Sequence, residues 1–224
     1  MKRISVAIDG PGGAGKSTAA KALAGRYGFA YVDTGAIYRT IGLAVLRSGA
    51  SPAEEAQVAP VLLSSSVELD YDETGSQHML LNGEDVSREI RLPEVSSYAS
   101  KVSALPAVRA ALLELQRDQA RRRSVVMDGR DIGTVVLPDA TLKVFLTASP
   151  EVRALRRWAE LRSRGMPQDF EVVYREMAER DLRDSTRATA PLRPAPDAVT
   201  VDSSRLSFDE VVAALCKLVE GKLQ

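Results

Sequence analysis

The sequence is short of residues that staple or ligate. It holds one cysteine, Cys216, and one histidine, His78. A lone cysteine excludes an intrachain disulfide and a cysteine-cluster metal site. A lone histidine removes His-rich metal sites and speaks against a His-based triad. Charge of one sign is not in excess, with 30 Lys and Arg against 30 Asp and Glu. That balance argues against attachment to nucleic acid by bulk charge and leaves only a local basic site open. No apolar run approaches the roughly 18 residues of a membrane span. Met1-Lys2-Arg3 before the apolar residues 4–8 faintly resembles a leader. The run breaks at Asp9, short of the roughly 7–15 residues a leader needs. The expectation is therefore a cytoplasmic protein in a reducing compartment, without membrane or nucleic-acid partners. A chain of this length buries about 70% of its unfolded surface, enough for a core without staples.

What is present reads as alternating strands and helices. Residues 4–8 form a short apolar strand ending in a glycine loop, and an Ala- and Leu-rich helix runs from Lys16 to Tyr27. A second strand covers residues 29–32, and a helix covers 36–47. Residues 67–71 and 77–81 alternate around Asp72-Glu73-Thr74-Gly75, with Asn82-Gly83 following. They predict a small antiparallel hairpin or three short strands, inserted between Pro60 and Pro93. Helices follow over 94–103 and 106–122, and strands over 124–127 and 142–146. Residues 150–183 are helical, broken at Gly165-Met166-Pro167. A strand at 199–201 precedes a helix opened by the capping box Ser207-Phe208-Asp209-Glu210. Apolar strands between helices predict an α/β fold: three αβα layers around a parallel central sheet. Ligands in such sheets bind at the strands' carboxyl ends. Asp9-Gly10, Asp33-Thr34-Gly35 and Asp128-Gly129-Arg130-Asp131 all fall there.

Gly10-Pro11-Gly12-Gly13-Ala14-Gly15-Lys16-Ser17 fits the phosphate-loop pattern G-x-x-x-x-G-K-[ST], between a strand and a helix as the pattern requires. Its backbone amides and the helix N-terminus would cradle an anion. Lys16 would reach the β- and γ-phosphates, and the Ser17 hydroxyl would ligate Mg²⁺. No guanine reader of the Asn-Lys-x-Asp type and no LSGGQ-like signature occurs, which leaves a small kinase. Such an enzyme must keep water from the γ-phosphate, so it needs an acceptor pocket and a closing lid. The insertion and the arginine-rich stretch 150–187 suit those needs. Acidic residues spaced along that stretch predict a solvated helical face for Arg153, Arg162, Arg164 and Arg175. Arg180, Arg183 and Arg187, just before Pro191, are the candidates for function. His78, Cys216 and Trp158 read as surface, packing and an anchor between helices. Tyr38 reads equally as packing or as a pocket border.

Six segments carry a resemblance: residues 8–18 (IDGPGGAGKST), 32–39 (VDTGAIYR), 82–87 (NGEDVS), 94–109 (EVSSYASKVSALPAVR), 128–135 (DGRDIGTV) and 179–192 (ERDLRDSTRATAPL). Together they resemble bacterial cytidylate kinases, the CMP/dCMP branch of the nucleoside monophosphate kinases. The resemblance runs along essentially the whole chain. It implies a P-loop core from 1–36, 94–155 and 188–224. A monophosphate-binding region with a small antiparallel sheet would occupy 37–93, and an arginine-rich lid 156–187. It further implies transfer of the γ-phosphoryl of ATP to CMP or dCMP, with Mg²⁺; the assembly expected is a monomer. Gly10 to Thr18, including Gly12, Gly13 and Ala14, would bind ATP. Thr34, Arg109, Asp131 and Arg187 would surround the cytosine; Ser100, Arg180 and Asp184 would meet the pentose; Arg39 and Arg130 would hold the acceptor phosphate. Lys16, Arg130, Arg180 and Arg187 would stabilise the transferring group. Asp33 or Asp128 would orient Mg²⁺ through water. The alternative reading is a P-loop kinase for another small acceptor, such as shikimate or AMP. A nucleotide-dependent switch or nucleic-acid module rests on local arginine density alone.

Overall fold

The computed structural model describes residues 3–223; Met1 and Lys2 of the leader-like start lie outside the described residues, as does Gln224. The chain divides into two compact units, one from 30 to 125 and the other from 4 to 29 and 126 onward.

The second unit is a parallel sheet flanked by helices. Its strands are β1 (Ser5–Asp9), β6 (Val125–Gly129, from Val126 on in this unit), β7 (Leu142–Thr147) and β8 (Val199–Asp202), in the order β6-β1-β7-β8. β1 lies parallel to β7, with Val6 opposite Leu142 and Ile8 opposite Val144; β7 lies parallel to β8, with Val144 opposite Val199. Val6, Ala7, Ile8, Val126 and Met127 are fully buried. That explains why these strands read as continuous apolar runs and not as alternating ones. Four helices complete the unit: α1 (Lys16–Tyr27), α6 (Pro150–Ser163), α7 (Phe170–Thr186) and α8 (Phe208–Leu223). α1 and α8 are tied by the Tyr27 hydroxyl, which donates to Glu220 Oε1 at 3.1 Å. The capping box at Ser207 forms as expected: Ser207 N–H donates to Glu210 Oε2, and Glu210 N–H to Ser207 Oγ. Cys216 is buried in α8 and packs as anticipated. Trp158 anchors α6 to α7 by meeting Phe170 edge-on at 6.5 Å and donating its Nε1 to Gln168 O.

The first unit holds β2 (Ala30–Asp33), α2 (Thr34–Ser48), α3 (Glu55–Ser64), β3 (Val67–Tyr71), β4 (Gln77–Leu81), β5 (Glu84–Asp85), α4 (Pro93–Val102) and α5 (Pro106–Arg122). β3, β4 and β5 form a separate antiparallel sheet. Leu69 pairs with Met79 on one face, and Met79 joins a core with Ile37, Ile41, Ile90, Val95 and Val108. His78, on the other face, lies between Asp72 and Asp85 at 3.2 and 3.0 Å, a structural surface role. Gly42 is needed for close helix packing: a Cβ there would stand 2.8 Å from Ala99 N in α4.

Several boundaries move. α2 begins at Thr34, two residues before the sequence placed it, because the Asp33 carboxylate caps it by accepting Ala36 N–H at 2.9 Å. Pro60, read as a boundary, lies inside α3. Residues 132–136 form one turn of π-helix that periodicity does not announce. No helix among the described residues is long and apolar enough to cross a membrane.

Candidate nucleotide-binding site

In the second unit the loop from Gly10 to Gly15 joins the carboxyl end of β1 to the first turn of α1, where Lys16, Ser17 and Thr18 sit. Gly13 has φ +74°, and a Cβ there would fall 2.8 Å from Arg153 O, so only glycine fits both the conformation and the contact. Three loop carbonyls are taken up by side chains. Lys16 Nζ donates to Pro11 O at 2.8 Å, and Arg153 Nη1 donates to Gly12 O at 3.3 Å. Ser203 Oγ lies 3.2 Å from Ala14 O. Carbonyls held in this way leave the amide side of the loop to an anion. Lys16 is buried. Burial first, and the Arg130 guanidinium next, pull its ammonium down to about 7.

Ser17 Oγ donates to Asp128 Oδ2 at 2.9 Å, which joins the loop to the end of β6. Asp9, at the end of β1, is buried and accepts the N–H groups of Ile132 and Gly133, both at 2.7 Å. Burial nonetheless pushes its carboxyl up to about 6. Those two bonds hold the π-helical turn directly after Arg130 and Asp131. The sequence placed Asp9 at a strand end without giving it a partner.

Downstream, Arg130 Nε donates to Asp184 Oδ2 at 2.9 Å, and Arg180 Nε stands 4.0 Å from the same oxygen. Burial works to raise the Asp184 carboxyl, but Arg130, then Arg180 and Arg187, hold it below the usual range. Arg187 Nη2 lies 3.5 Å from Asp131 Oδ1, with both side chains nearly inaccessible, and Arg187 Nε donates to Ala190 O at 2.7 Å. The structure thus brings Arg130, Asp131, Arg180, Asp184 and Arg187 into one set of ion pairs. Arg153 corrects the sequence reading. It is no solvated arginine: it is buried, pairs with Asp181 of α7 and donates its Nε to Ala148 O at 2.9 Å. Helical spacing could not reveal this, because Asp181 is 28 residues away. Arg164 follows the expected pattern, paired with Glu160 one turn back at 2.6 Å.

The first unit holds further predicted site residues. Arg39 Nη2 donates to Asp33 Oδ2 at 2.7 Å. Burial opposes ionisation of Asp33, yet Arg39 and the capping N–H of Ala36 hold its carboxyl below the ordinary value. Thr34 is buried at the start of α2. Arg109 is buried too, donates Nη1 to Ser103 O at 3.0 Å, and lies with its guanidinium 5.4 Å from the Tyr38 ring centre. This gives Tyr38 a cation–π role beside a predicted site residue. Ser100 Oγ and Arg39 Nε are buried with no hydrogen-bond partner among the described residues. Buried polar atoms are normally paired, so such orphans suit a ligand-facing surface. The sequence did not single out Gln77, whose side-chain amide brackets the main chain of Asp33.

Among the described residues no cluster of three His, Cys, Asp or Glu side chains could hold a metal ion by itself. A hydroxyl beside a single carboxylate, as at Ser17 and Asp128, suits a cation that takes its remaining ligands from phosphate and water.

The cytidylate kinase family model matches residues 6–221. The chain belongs to this family. Relatives named cytidylate kinase agree along nearly their full length. The protein of Caldicellulosiruptor saccharolyticus is 49% identical over 97% of this chain and 96% of its own. That of Solibacter usitatus is 49% identical over 100% of this chain and 95% of its own. Among solved structures, a protein from Eubacterium ventriosum described as uncharacterized superposes with a TM-score of 0.52 at 13% identity, covering 97% of this chain and 99% of that one. That last likeness concerns the fold alone.

Proposed function

We infer that this enzyme transfers the γ-phosphoryl group of ATP to CMP or dCMP, giving ADP and CDP or dCDP. Membership in the cytidylate kinase family over residues 6–221 carries the inference. In the reaction an oxygen of the acceptor's phosphate forms a bond to the γ-phosphorus while the bond to the β–γ bridging oxygen breaks. The acceptor oxygen is already ionised, so no strong protein base is needed; catalysis consists of positioning and charge neutralisation.

The loop from Gly10 to Thr18 would bind the triphosphate, with Lys16 neutralising charge on the transferring group alongside Arg130, Arg180 and Arg187. The pairing of these arginines with Asp131 and Asp184 supports that reading, because donors held in advance need no reorganisation during reaction. Thr34, Arg109, Asp131 and Arg187 would read the cytosine. A carboxylate such as Asp131 accepts from the N4 amino group, and a guanidinium such as Arg109 donates to N3 or O2. Uracil inverts both groups, and each buried mismatch costs about 1–3 kcal/mol. Ser100, Arg180 and Asp184 would meet the pentose, and the orphan hydroxyl of Ser100 supports its share. Arg39 and Arg130 would hold the acceptor phosphate. Ser17 with Asp128, through water, would hold Mg²⁺, which offsets phosphate charge when bound. Asp128 is favoured over Asp33 because its carboxylate already accepts the Ser17 hydroxyl. Residues 156–187 would act as the lid, 37–93 as the acceptor-binding region, and 1–36, 94–155 and 188–224 as the core. The enzyme would work as a cytoplasmic monomer, with no nucleic-acid or membrane partner.

The deciding experiment measures ADP release from ATP and Mg²⁺ with CMP, dCMP, UMP, AMP, shikimate or no acceptor. CMP and dCMP should turn over rapidly, and kcat/KM for UMP should fall about a hundredfold, as two mismatched groups imply. Turnover of UMP within a few-fold of CMP would overturn the cytosine assignment; preference for shikimate or AMP would overturn the function.

A further inference from the structure

The small sheet of the first unit is fastened to β2 by side chains. Tyr71, the last residue of β3, and Gln77, the first of β4, stand directly opposite each other in the antiparallel register. They reach alternate residues of β2. The Tyr71 hydroxyl donates to Tyr31 O at 3.1 Å. The Gln77 amide grips both main-chain groups of Asp33: its Oε1 accepts Asp33 N–H at 2.7 Å, and its Nε2 donates to Asp33 O at 3.2 Å. Two antiparallel residues exchange the same pair of bonds. Gln77 therefore supplies from a side chain what a neighbouring strand would supply from its backbone. The Tyr71 ring is itself held, with the Arg123 guanidinium 4.9 Å from its centre.

Asp33 is the point where these restraints meet. Its carboxylate oxygens accept Ala36 N–H at 2.9 Å and Arg39 Nη2 at 2.7 Å. With the main chain gripped by Gln77 and each carboxylate oxygen bonded, the Asp33 side chain is restrained, and so is the guanidinium bound to it. Arginine otherwise carries large rotamer freedom that a ligand must remove on binding.

We propose that Gln77, seconded by Tyr71, is a positioning residue for the acceptor phosphate: it fixes Asp33 and, through Asp33, presents Arg39. The proposal rests on the reading that Arg39 holds that phosphate. It gives the inserted hairpin a task beyond covering the core, since the two latch residues flank its turn.

The test compares Gln77→Ala, Tyr71→Phe and Arg39→Ala, singly and with Gln77→Ala combined with Arg39→Ala. In Gln77→Ala, KM for CMP should rise about five- to tenfold, the scale of one or two lost hydrogen bonds, while kcat and KM for ATP stay within about twofold. Tyr71→Phe should move KM for CMP the same way by less. In the Arg39→Ala background, Gln77→Ala should add less than about twofold, because a residue acting through another has nothing left to position. A folded Gln77→Ala enzyme with unchanged KM for CMP, or with an equal rise in both backgrounds, overturns the latch alone. An Arg39→Ala enzyme with unchanged KM for CMP overturns the phosphate assignment and the latch with it. Should Gln77→Ala fail to fold, Tyr71→Phe, which deletes a single hydroxyl, carries the same comparison.

Discussion

Lys16 places an ammonium where burial works against stability. Its ammonium is buried, and its folded value near 7 lies far below the unfolded 10.5. Between those values the unfolded chain binds more protons, so this residue's contribution to stability improves as pH rises from 7 toward 10.5. At pH 6 both states are protonated, and the folded protein bears the full cost of desolvation. Lys16→Met should therefore raise stability by about 1–2 kcal/mol at pH 6, a gain that shrinks toward pH 10. Its kcat should fall by about a hundredfold or more. Thermal denaturation across that pH range, paired with turnover, checks both. A destabilised Met variant at pH 6 would show that the lysine is structural. The P-loop lysine was readable from sequence because its motif is local. Asp9 was not, because its partners Ile132 and Gly133 lie more than a hundred residues away.

At the scale of elements, arginines of similar spacing part company. Arg164 meets Glu160 within its own helix, as i,i+4 spacing predicts. Arg153 instead spans three elements, reaching the loop carbonyl of Gly12, the carbonyl of Ala148 and the carboxylate of Asp181. Removing it leaves two carbonyls and a carboxylate poorly satisfied. Arg153→Ala should cost about 2–4 kcal/mol in urea unfolding, and Arg153→Lys, which keeps charge but loses the fork, should fall between. A loss below about 0.5 kcal/mol would restore the solvated-face reading. Strands and helices of the core were largely foreseeable, since their apolar runs, caps and glycine stops are written locally. The π-helical turn at 132–136 was not, because it depends on Asp9 reaching across from β1.

For the molecule as a whole, ligand selectivity should appear in stability as well as in rate. A nucleotide that binds only the folded state adds about 2.7 kcal/mol at a hundredfold its Kd, roughly 5–11 °C for a chain of this size. CMP and dCMP should shift Tm by that amount, and UMP at the same concentration should leave it nearly unmoved. Equal shifts would mean that base discrimination operates only during turnover. The alternation of elements, the phosphate loop and the family were determined by the sequence alone, because hydrophobic period, glycine placement and short motifs need no distant partner. Which arginine meets which carboxylate, which strand end carries an anchor and why a hairpin sits beside β2 were decided by tertiary structure. Those pairings join residues far apart along the chain, and charge or polarity at one position does not say what folding will set against it.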